Sequence, residues 1–465
     1  MNYHSRYAGL TRRIETCVAG GGAFGRSFAG QARFVSRMAA RIVIDLTVEA
    51  AGEALAASGW APAEIALCHT AAEARIAFAA GKAVAADRLA TVIELPFDCL
   101  VEATGHPEAA AVHALAAIEA GRHVLMVTKE ADSVAGPMLA RLAAARGVGI
   151  APVDGDQPSL LIDLITWGET LGFEILAGGK SSEYDFVFDP ADGTVTSNGR
   201  AASLPGLAAH WAPGVRTVLA TSQARADVIA RQFPLRAVPD LCELTLVANA
   251  TGFGADTPAL HAPVARIPEV ADLFAPRNAG GLLTGARRLD VFHHLRLADE
   301  ASFAGGVFIT VRCHDRESWS ILAEKGHVVS RSGDTAMIYL PRHLLGLEAA
   351  TSVLDLAGLG QSPYPAGYRQ HTDLAAVATT ALAAGTLLTA RGHHHTIDGV
   401  TAQMRPARPL AANEIAPYYL VANHRLSRAI APGQPITLAD LDIGDASALL
   451  ALRQRQDREI PVPEA

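Results

Sequence analysis

The first third of the chain alternates short apolar, β-branched runs with alanine-rich stretches of helical spacing. The apolar runs cover residues 14–19, 40–45, 65–68, 99–103, 123–127 and 148–151. Strands that alternate with helices are typical of βαβ units, whose strands form a parallel sheet. The pattern therefore predicts an α/β fold in which residues 1–152 form one doubly wound domain.

Beyond residue 152 the regular alternation gives way to a mixed pattern. Strand-like runs at 217–220, 307–311 and 336–339 lie among polar turns, and residues 239–249 read as a helix that Gly252 stops. This pattern predicts a central α+β domain over residues 153–370, and we expect it to hold the substrate.

The last part of the chain, residues 371–465, contains a weak internal repeat. Residues 382–389 resemble residues 430–437, and each copy places a glycine turn before a strand. Two matched turns predict a small, pseudo-symmetric β module. The tail after Asp445 reads as a charged helix followed by prolines, and we expect it to be frayed.

Composition narrows the class of protein. The chain of 465 residues carries a net charge of −8 and has no basic run, which argues against nucleic acid as a partner. No apolar run approaches the roughly 18 residues that span a bilayer, and the start has no apolar signal region. Five scattered cysteines without a Cys-x-x-Cys pair suit free thiols in a reducing compartment. We expect a cytoplasmic protein with a small-molecule substrate and no membrane contact.

The glycine run after the first predicted strand carries the strongest chemical signal. Gly20 permits a tight turn, Gly22 lets the backbone approach a pyrophosphate, and Gly25 lets helix and strand pack closely. Ala23 and Phe24 open the helix whose positive N-terminus would hold the phosphates. Asp45 follows about 20 residues later, where an acid is expected to bind ribose hydroxyls. This context predicts a Rossmann domain that binds NAD(P), against the alternative of a glycine turn without a ligand.

Two further segments end predicted strands at the same edge of the sheet. Ala103, Thr104 and Gly105 form a small-residue loop that would pass beneath the nicotinamide ribose, although an ordinary strand-to-helix turn is about as plausible. Lys129 follows the next strand, and ligands bind at that carboxyl edge. The plain alternative there is a solvated loop.

Two polar motifs lie in the middle region. Asp156 belongs to a tight turn, and Lys180 follows an apolar run with glycines beside it. A lysine that emerges from a strand end can polarise a carbonyl or bind phosphate, although a surface lysine in a loop is the commoner explanation. The run His393–His395 alternates faces if it is a strand, and we expect it to lie inside the β module, away from any acid cluster. We therefore expect it not to be a catalytic metal site, so that replacing all three histidines would leave turnover within a few-fold.

Several of these segments together resemble one family, the homoserine-dehydrogenase-like oxidoreductases with a C-terminal SAF domain. That family includes the enzymes similar to 1-deoxy-D-xylulose 5-phosphate reductoisomerase (DXR-like). The resemblance rests on motifs at residues 19–25, 101–107, 155–158, 177–180, 247–252 and 341–348. It implies a Rossmann domain, a central catalytic and dimerisation domain, a small β SAF (β-clip-like) domain over 371–465, and a homodimer.

The resemblance also implies roles for individual residues. Lys180 would be the principal catalytic cation, whose removal we expect to lower turnover about 10²–10³-fold. Asp156 would orient it or hold a cation, with Lys129 and Glu243 as further catalytic candidates. Substrate would be bound by Asn249, Arg342 and His343.

The chain departs from the family pattern in two stretches, residues 233–243 and 183–185. The first keeps only Glu243 of the expected motif, and the second has Glu183, Tyr184 and Asp185 where basic and aromatic residues are expected. Fewer cations in the pocket disfavour a phosphorylated substrate.

The sequence therefore predicts an NAD(P)-dependent oxidoreductase acting on a small polyhydroxylated or keto substrate. A DXR-like reductoisomerase would also need a divalent cation, Mg or Mn, to hold the ketol oxygens. One alternative is a homoserine-dehydrogenase-like alcohol dehydrogenase without rearrangement. The other is a dinucleotide sensor without catalysis.

The residues after the second strand predict a preference for NAD. No arginine follows Asp45 until Arg75, so nothing nearby in sequence neutralises a 2′-phosphate. Titration with both dinucleotides should therefore show tighter binding of NADH than of NADPH. Markedly tighter NADPH binding would mean that Asp45 turns away from the ribose or that a basic residue arrives from elsewhere.

Overall fold

A computed structural model describes residues 2–213, 217–235, 238–392, 395–444 and 446–462. In these ranges the chain builds one parallel sheet, one larger mixed sheet and a small β module with a C-terminal helix.

The first sheet has seven parallel strands in the order β3-β4-β2-β1-β5-β6-β7. Its strands are β1 (Ile14–Ala19), β2 (Met38–Ile44), β3 (Ile65–Leu67), β4 (Ala83–Ala86), β5 (Cys99–Glu102), β6 (His123–Met126) and β7 (Ile150–Pro152). The accompanying helices are α1 (Tyr3–Arg6), α2 (Ala23–Ala32), α3 (Val48–Ala57), α4 (Ala71–Ala79), α5 (Leu89–Val92), α6 (Pro107–Glu119) and α7 (Lys129–Ala145). The order reverses between β1 and β5, so a ligand crevice is expected at their carboxyl ends. The predicted α/β fold with a doubly wound parallel sheet is confirmed.

The second sheet runs β11-β10-β9-β14-β8-β15-β16, and two short strands pair with β14. Its strands are β8 (Ile175–Ser181), β9 (Phe186–Asp189), β10 (Thr194–Ser197), β11 (Arg200–Ser203), β12 (Gly254–Ala255), β13 (Val264–Ala265), β14 (Arg288–Arg296), β15 (Val307–Arg312) and β16 (Thr335–Leu340). The helices of this region are α8 (Gln157–Thr170), α9 (Val218–Ile229), α10 (Val238–Thr251), α11 (Val270–Leu273), α12 (Arg316–Glu324) and α13 (Ala350–Val353).

One predicted strand of this region is wrong. Residues 217–220 begin α9, because Thr217 caps the helix by accepting a hydrogen bond from the Ala220 N–H. An N-cap threonine followed by apolar residues also fits a β-strand pattern over four positions, and only the longer context separates the two.

Helix α10 is buried on nearly all sides and packs against α7, α8 and strands of the C-terminal module. It thereby joins the first sheet, the second sheet and the module into one continuous apolar core. The predicted stop at Gly252 is confirmed, since this glycine has a left-handed φ of 70° directly after the helix.

The C-terminal module contains β17 (Thr372–Ala378), β18 (Ala390–Arg391), β19 (Thr396–Ile397), β20 (Val400–Pro406), α14 (Tyr418–Val421), β21 (Arg425–Leu426), β22 (Leu441–Asp442) and α15 (Ala448–Glu459). The two copies of the sequence repeat pair with each other through reciprocal backbone hydrogen bonds between Leu382 and Ile430, both 2.9 Å long. The pseudo-symmetry that the repeat predicts is therefore present in the backbone pairing.

Over the described residues 446–462, the expectation of a frayed tail is wrong. Helix α15 packs against α6 and α7, and its Arg453 is fully buried. Arg453 donates to both carboxylate oxygens of Asp373 at 2.6 and 2.9 Å and to Asp457 at 2.9 Å. Arg453 and Asp457 are among the charged residues that made the tail look solvent-exposed in the sequence, and both belong to this internal ionic contact. Among all the helices of the described ranges, none has both the length and the apolar character needed to cross a bilayer.

Replacing Arg453 with methionine should destabilise the fold by about 3–5 kcal/mol, because Asp373 would remain buried without its partner. Urea unfolding followed by circular dichroism measures the effect. The control is Arg455→Met on the same helix, whose exposed pair with Glu459 should contribute less than about 0.5 kcal/mol. Equal stability of the two variants would contradict the docking of α15.

Candidate active site

The glycine loop between β1 and α2 has the geometry that a pyrophosphate site requires. Gly20 has a φ of +98°, and a Cβ there would lie 2.5 Å from the Ala103 carbonyl oxygen. A Cβ on Gly25 would lie 2.0 Å from the Gly20 carbonyl oxygen, whereas Gly22 faces open space at the N-terminus of α2. Gly20 and Gly25 are therefore needed for the turn and its packing, and Gly22 leaves room for a ligand.

Asp45 lies beside this loop, directly after β2. Its carboxylate accepts hydrogen bonds from the backbone N–H groups of Gly21 and Leu46, both at 2.7 Å. This contact places an acidic group at the edge where an adenine ribose is expected. The role of Asp45 in ribose binding stays a prediction.

The loop after β5 divides into two parts. Ala103 and Gly105 line a cavity next to the glycine loop, and the Gly105 N–H donates to the Thr128 hydroxyl at 3.0 Å. Thr104 instead donates its hydroxyl to Glu102 at 2.7 Å. Ala103 and Gly105 thus line the cavity, whereas the Thr104 side chain is hydrogen-bonded to Glu102.

A cavity of about 390 Å³ opens between the glycine loop, the second sheet and the C-terminal module. Besides Ala103 and Gly105, its described lining includes Ala23, Phe24, Lys129, Glu130, Asp156, Gln157, Lys180, Glu183, Tyr184, Glu243, His343 and His395. The volume lies within the range of small-molecule sites, about 300–1,000 Å³.

Two lysines and three carboxylates form an ionic cluster in the cavity wall. Lys129 Nζ lies 3.1 Å from Asp156 Oδ2 and 2.7 Å from Glu243 Oε1. Lys180 Nζ lies 2.8 Å from Asp240 Oδ1 and donates a short hydrogen bond to Glu243 Oε2. Glu243 therefore bridges the two ammonium groups, and the structure brings together all four predicted catalytic residues.

The two lysines and Glu243 hold one another in the charged state. Burial would raise the pKa of Glu243, but Lys129 and Lys180 outweigh burial and lower the pKa to about 2. Burial would lower the pKa of each lysine, yet Asp156 and Glu243 raise the pKa of Lys129 well above its usual value. Asp240 and Glu243 do the same for Lys180. Neither lysine gives up its proton near neutral pH.

Lys180 lies at the end of a strand, as expected, but the alternative of a surface lysine in a loop is wrong. It lies within β8, and its side chain is only 1% exposed. Its flanking glycines are required by packing, since a Cβ on Gly179 would lie 2.2 Å from the Asp290 carbonyl oxygen. A Cβ on Gly178 would lie 2.9 Å from Ile165. Glycines that admit a neighbouring strand and glycines that admit a ligand look alike in sequence.

The three predicted substrate-binding residues separate in space. His343 lines the cavity, and burial lowers its pKa. Asn249 instead accepts hydrogen bonds from the His371 and Thr372 N–H groups at 2.8 Å, joining α10 to the C-terminal module. Arg342 pairs with Glu348 at 2.6 Å. In the described part of the chain, neither Asn249 nor Arg342 lines the cavity, and their contact with substrate stays a prediction.

The carboxylates of the cavity do not fit a divalent cation. Asp156 and Glu243 are already engaged by Lys129. Asp154 lies outside the cavity lining and accepts hydrogen bonds from Ser159 at 2.7 Å and from Thr351 at 2.6 Å. Within the ranges that the structure describes, no three or more His, Cys, Asp or Glu side chains group so as to hold a metal. The positive charge in this site comes from the two lysines, so the donor set argues against the expected Mg or Mn.

Sequence reasoning missed Glu130 and His395. Glu130 is buried at the start of α7, and His395 Nε2 lies 3.2 Å from its Oε1. His393 and His394 lie outside the described residues, but His395 contradicts the expectation that the histidine run is remote from acids. The pairing joins positions 265 residues apart, which no local pattern reveals.

Residues 237–349 match the family model described as "Oxidoreductase DRL, catalytic domain". This stretch contains Asp240 and Glu243 of the cluster and His343 of the cavity. Together with the Rossmann-type sheet, the match defines the class of enzyme. The chain is an NAD(P)-dependent oxidoreductase.

Similar solved structures are distant. A probable dehydrogenase from Thermotoga maritima is 12% identical over 75% of this chain and 90% of that one, with a TM-score of 0.37. A biliverdin reductase from Synechocystis sp. PCC 6803 is 14% identical over 75% and 92%, with a TM-score of 0.35. A DOX-P reductoisomerase in complex with magnesium is 17% identical over 37% of this chain, with a TM-score of 0.27, and the match spans only 46% of that protein. No curated protein sequence matches the chain. None of these likenesses assigns a substrate.

Lys180→Met should change how the free energy of unfolding depends on pH, compared with the parent protein. Because Glu243 has a lowered pKa, its contribution is present above about pH 4.5 and is lost as pH falls towards about 2. The variant should therefore be less stable at pH 7, and the difference in urea midpoint should shrink as the pH falls through that window. The exposed Lys325→Met serves as control and should show little difference at any pH. A Lys180→Met deficit that stays constant with pH would contradict the ionic account of the cluster.

Proposed function

We propose that this enzyme transfers hydride between NAD(P) and a small polyhydroxylated or keto substrate, without rearranging the carbon skeleton. The observation that carries the proposal is the Lys129–Glu243–Lys180 cluster in the wall of a cavity that begins at the glycine loop. A buried pair of fixed cations is suited to stabilising negative charge on a substrate oxygen.

The chain offers a complete set of contacts for a dinucleotide. Gly22 and the N-terminus of α2 would hold the pyrophosphate, and Asp45 would bind the adenine ribose. Ala103 and Gly105 would lie against the nicotinamide half, next to the cluster. When bound there, the dinucleotide supplies or accepts the hydride.

Lys129 is the better candidate than Lys180 for direct contact with substrate. Its side chain is 17% exposed towards the cavity, compared with 1% for Lys180. Lys180 lies behind Glu243 and fixes that carboxylate, which in turn aims Lys129. We therefore assign Lys129 to polarise the substrate oxygen and Lys180 to position Glu243 and, through it, Lys129.

The same cluster favours dehydrogenation over rearrangement. Ketol rearrangement in the DXR-like manner would require a divalent cation on the ketol oxygens, and the carboxylates that could bind it are engaged by lysines. The homoserine-dehydrogenase-like alternative needs no such ion. A net excess of acids in the cavity lining also weighs against a phosphorylated substrate.

We further propose a homodimer in the cytoplasm, with residues 1–152, 153–370 and 371–465 as its domains and the last as a SAF module. The reciprocal pairing of Leu382 with Ile430 supports a duplicated β module. The five cysteines are all free and buried, which suits a reducing compartment.

The proposal is tested by following nicotinamide absorbance with a panel of hydroxy and keto acids, sugars and their phosphates. We expect substrate-dependent oxidation or reduction that survives a chelator. Turnover that requires Mg or Mn would favour the reductoisomerase. Tight dinucleotide binding with no turnover across the panel would favour the sensor.

Lys129→Met should lower turnover by about 10²–10³-fold, because it removes the cation that stabilises the developing oxyanion. Its dinucleotide dissociation constant should stay within a few-fold of the parent, since the glycine loop is untouched. Lys129→Arg should recover part of the rate by restoring the charge. If Lys129→Met keeps full turnover while Lys180→Met loses it, the two lysine roles are reversed.

A further inference from the structure

The C-terminal module places one side chain, His395, inside the cavity of the other two domains. His395 Nε2 lies 3.2 Å from Glu130 Oε1, and both residues line the cavity together with Lys129. A Cβ on Gly105 would lie 3.9 Å from His395 Cε1, so the imidazole faces the loop expected beneath the nicotinamide. The pair therefore lies where dinucleotide and substrate would meet.

The position of His395 is fixed by the module itself. The Tyr418 hydroxyl donates to the His395 carbonyl at 3.1 Å and accepts from the Ile397 N–H at 3.0 Å. The Tyr419 ring meets the imidazole edge-on at 6.1 Å. The His395 backbone has a φ of 48°, in the left-handed region that costs free energy for residues other than glycine. A histidine held this way by two tyrosines is preorganised.

The proposed reaction requires a proton as well as a hydride, and the lysines do not supply it. Hydride addition to a carbonyl carbon leaves an oxyanion, which must be protonated to give the alcohol. Lys129 stays charged because Asp156 and Glu243 raise its pKa well above the usual value. A group that holds its proton this tightly stabilises charge but exchanges protons poorly at neutral pH.

We propose that Glu130 and His395 are the acid–base pair of this site, an inference that rests on the proposed function. In reduction, hydride from the reduced dinucleotide adds to the carbonyl carbon. While Glu130 holds Nε2, the Nδ1–H bond of the His395 imidazolium breaks, and its proton passes to the substrate oxygen that Lys129 polarises. The neutral imidazole regains a proton from water while Glu130 holds the ring. In oxidation, the alcohol proton passes to the imidazole as hydride leaves the carbon.

The surroundings of Glu130 raise its pKa. Burial raises the pKa of Glu130 to about 7, against the lowering effect of Lys129. The other titratable groups that face Glu130 are Asp156, Cys242, Glu243, Tyr419 and His395. Asp156 and Glu243 add negative charge beside Glu130. The pair of Glu130 and His395 therefore retains one proton more readily than an isolated glutamate would. Carbonyl reduction should therefore slow as the pH rises and the pair loses this proton.

The matched variants are His395→Asn in the cavity and His424→Asn in the same module, which lines a different cavity. His395→Asn should lower turnover by about 10²-fold, bind the dinucleotide within a few-fold of the parent, and lose the fall in the rate of reduction with rising pH. His424→Asn should change none of these. A His395→Asn enzyme that keeps its turnover and its pH profile overturns the proposal.

A second measurement, an NMR titration of the His395 imidazole, tests the contact between Glu130 and His395 without requiring turnover. In protein labelled with ¹⁵N-histidine and saturated with dinucleotide, the His395 resonance is assigned by its loss in His395→Asn. Glu130→Gln removes the anion beside the imidazole, so the His395 titration midpoint should fall by about one pH unit or more. An unmoved midpoint overturns the pairing. If the parent binds dinucleotide but turns over no substrate, the proposed function fails, and this titration still decides whether the pair exists.

Discussion

The bridge that Glu243 makes between Lys129 and Lys180 is the interaction on which the rest of the site depends. Three charges buried together are unfavourable unless each is paired, and here every ammonium group lies against two carboxylates. Removing any one partner would leave an uncompensated charge in the wall of the cavity. The cluster therefore fixes both the electrostatic potential of the site and the relative positions of the elements that carry it.

Those elements come from different parts of the chain. Lys129 begins α7 at the first sheet, Lys180 lies in β8 of the second sheet, and Glu243 lies on α10 between them. The same helix carries Asn249, which holds the C-terminal module by two backbone hydrogen bonds. Helix α10 thus links the ionic cluster to the C-terminal module. That module carries His395, so its docking on α10 contributes a side chain to the cavity.

The sequence predicted features that depend on local order and missed those that depend on distant contacts. The parallel sheet and the glycine loop were predictable, because alternation and the spacing of Gly20, Gly22 and Gly25 report backbone geometry directly. The burial of Lys180 was not, since its glycines serve packing against β14 and β15. Asn249 was expected to bind substrate because of the family resemblance, and the sequence does not reveal that its amide oxygen accepts hydrogen bonds from the His371 and Thr372 N–H groups instead. His395 and Glu130 meet only through the docking of the module.

The most direct test of the central claim is a crystal structure with dinucleotide and substrate, or an unreactive analogue, grown in the presence of magnesium. The reacting oxygen of the substrate should lie within hydrogen-bond distance of Lys129 Nζ, about 3 Å, with the Lys129–Glu243–Lys180 bridge intact. A metal ion between Asp156 and Glu243, with Lys129 displaced, would contradict the claim that lysines supply the positive charge of this site.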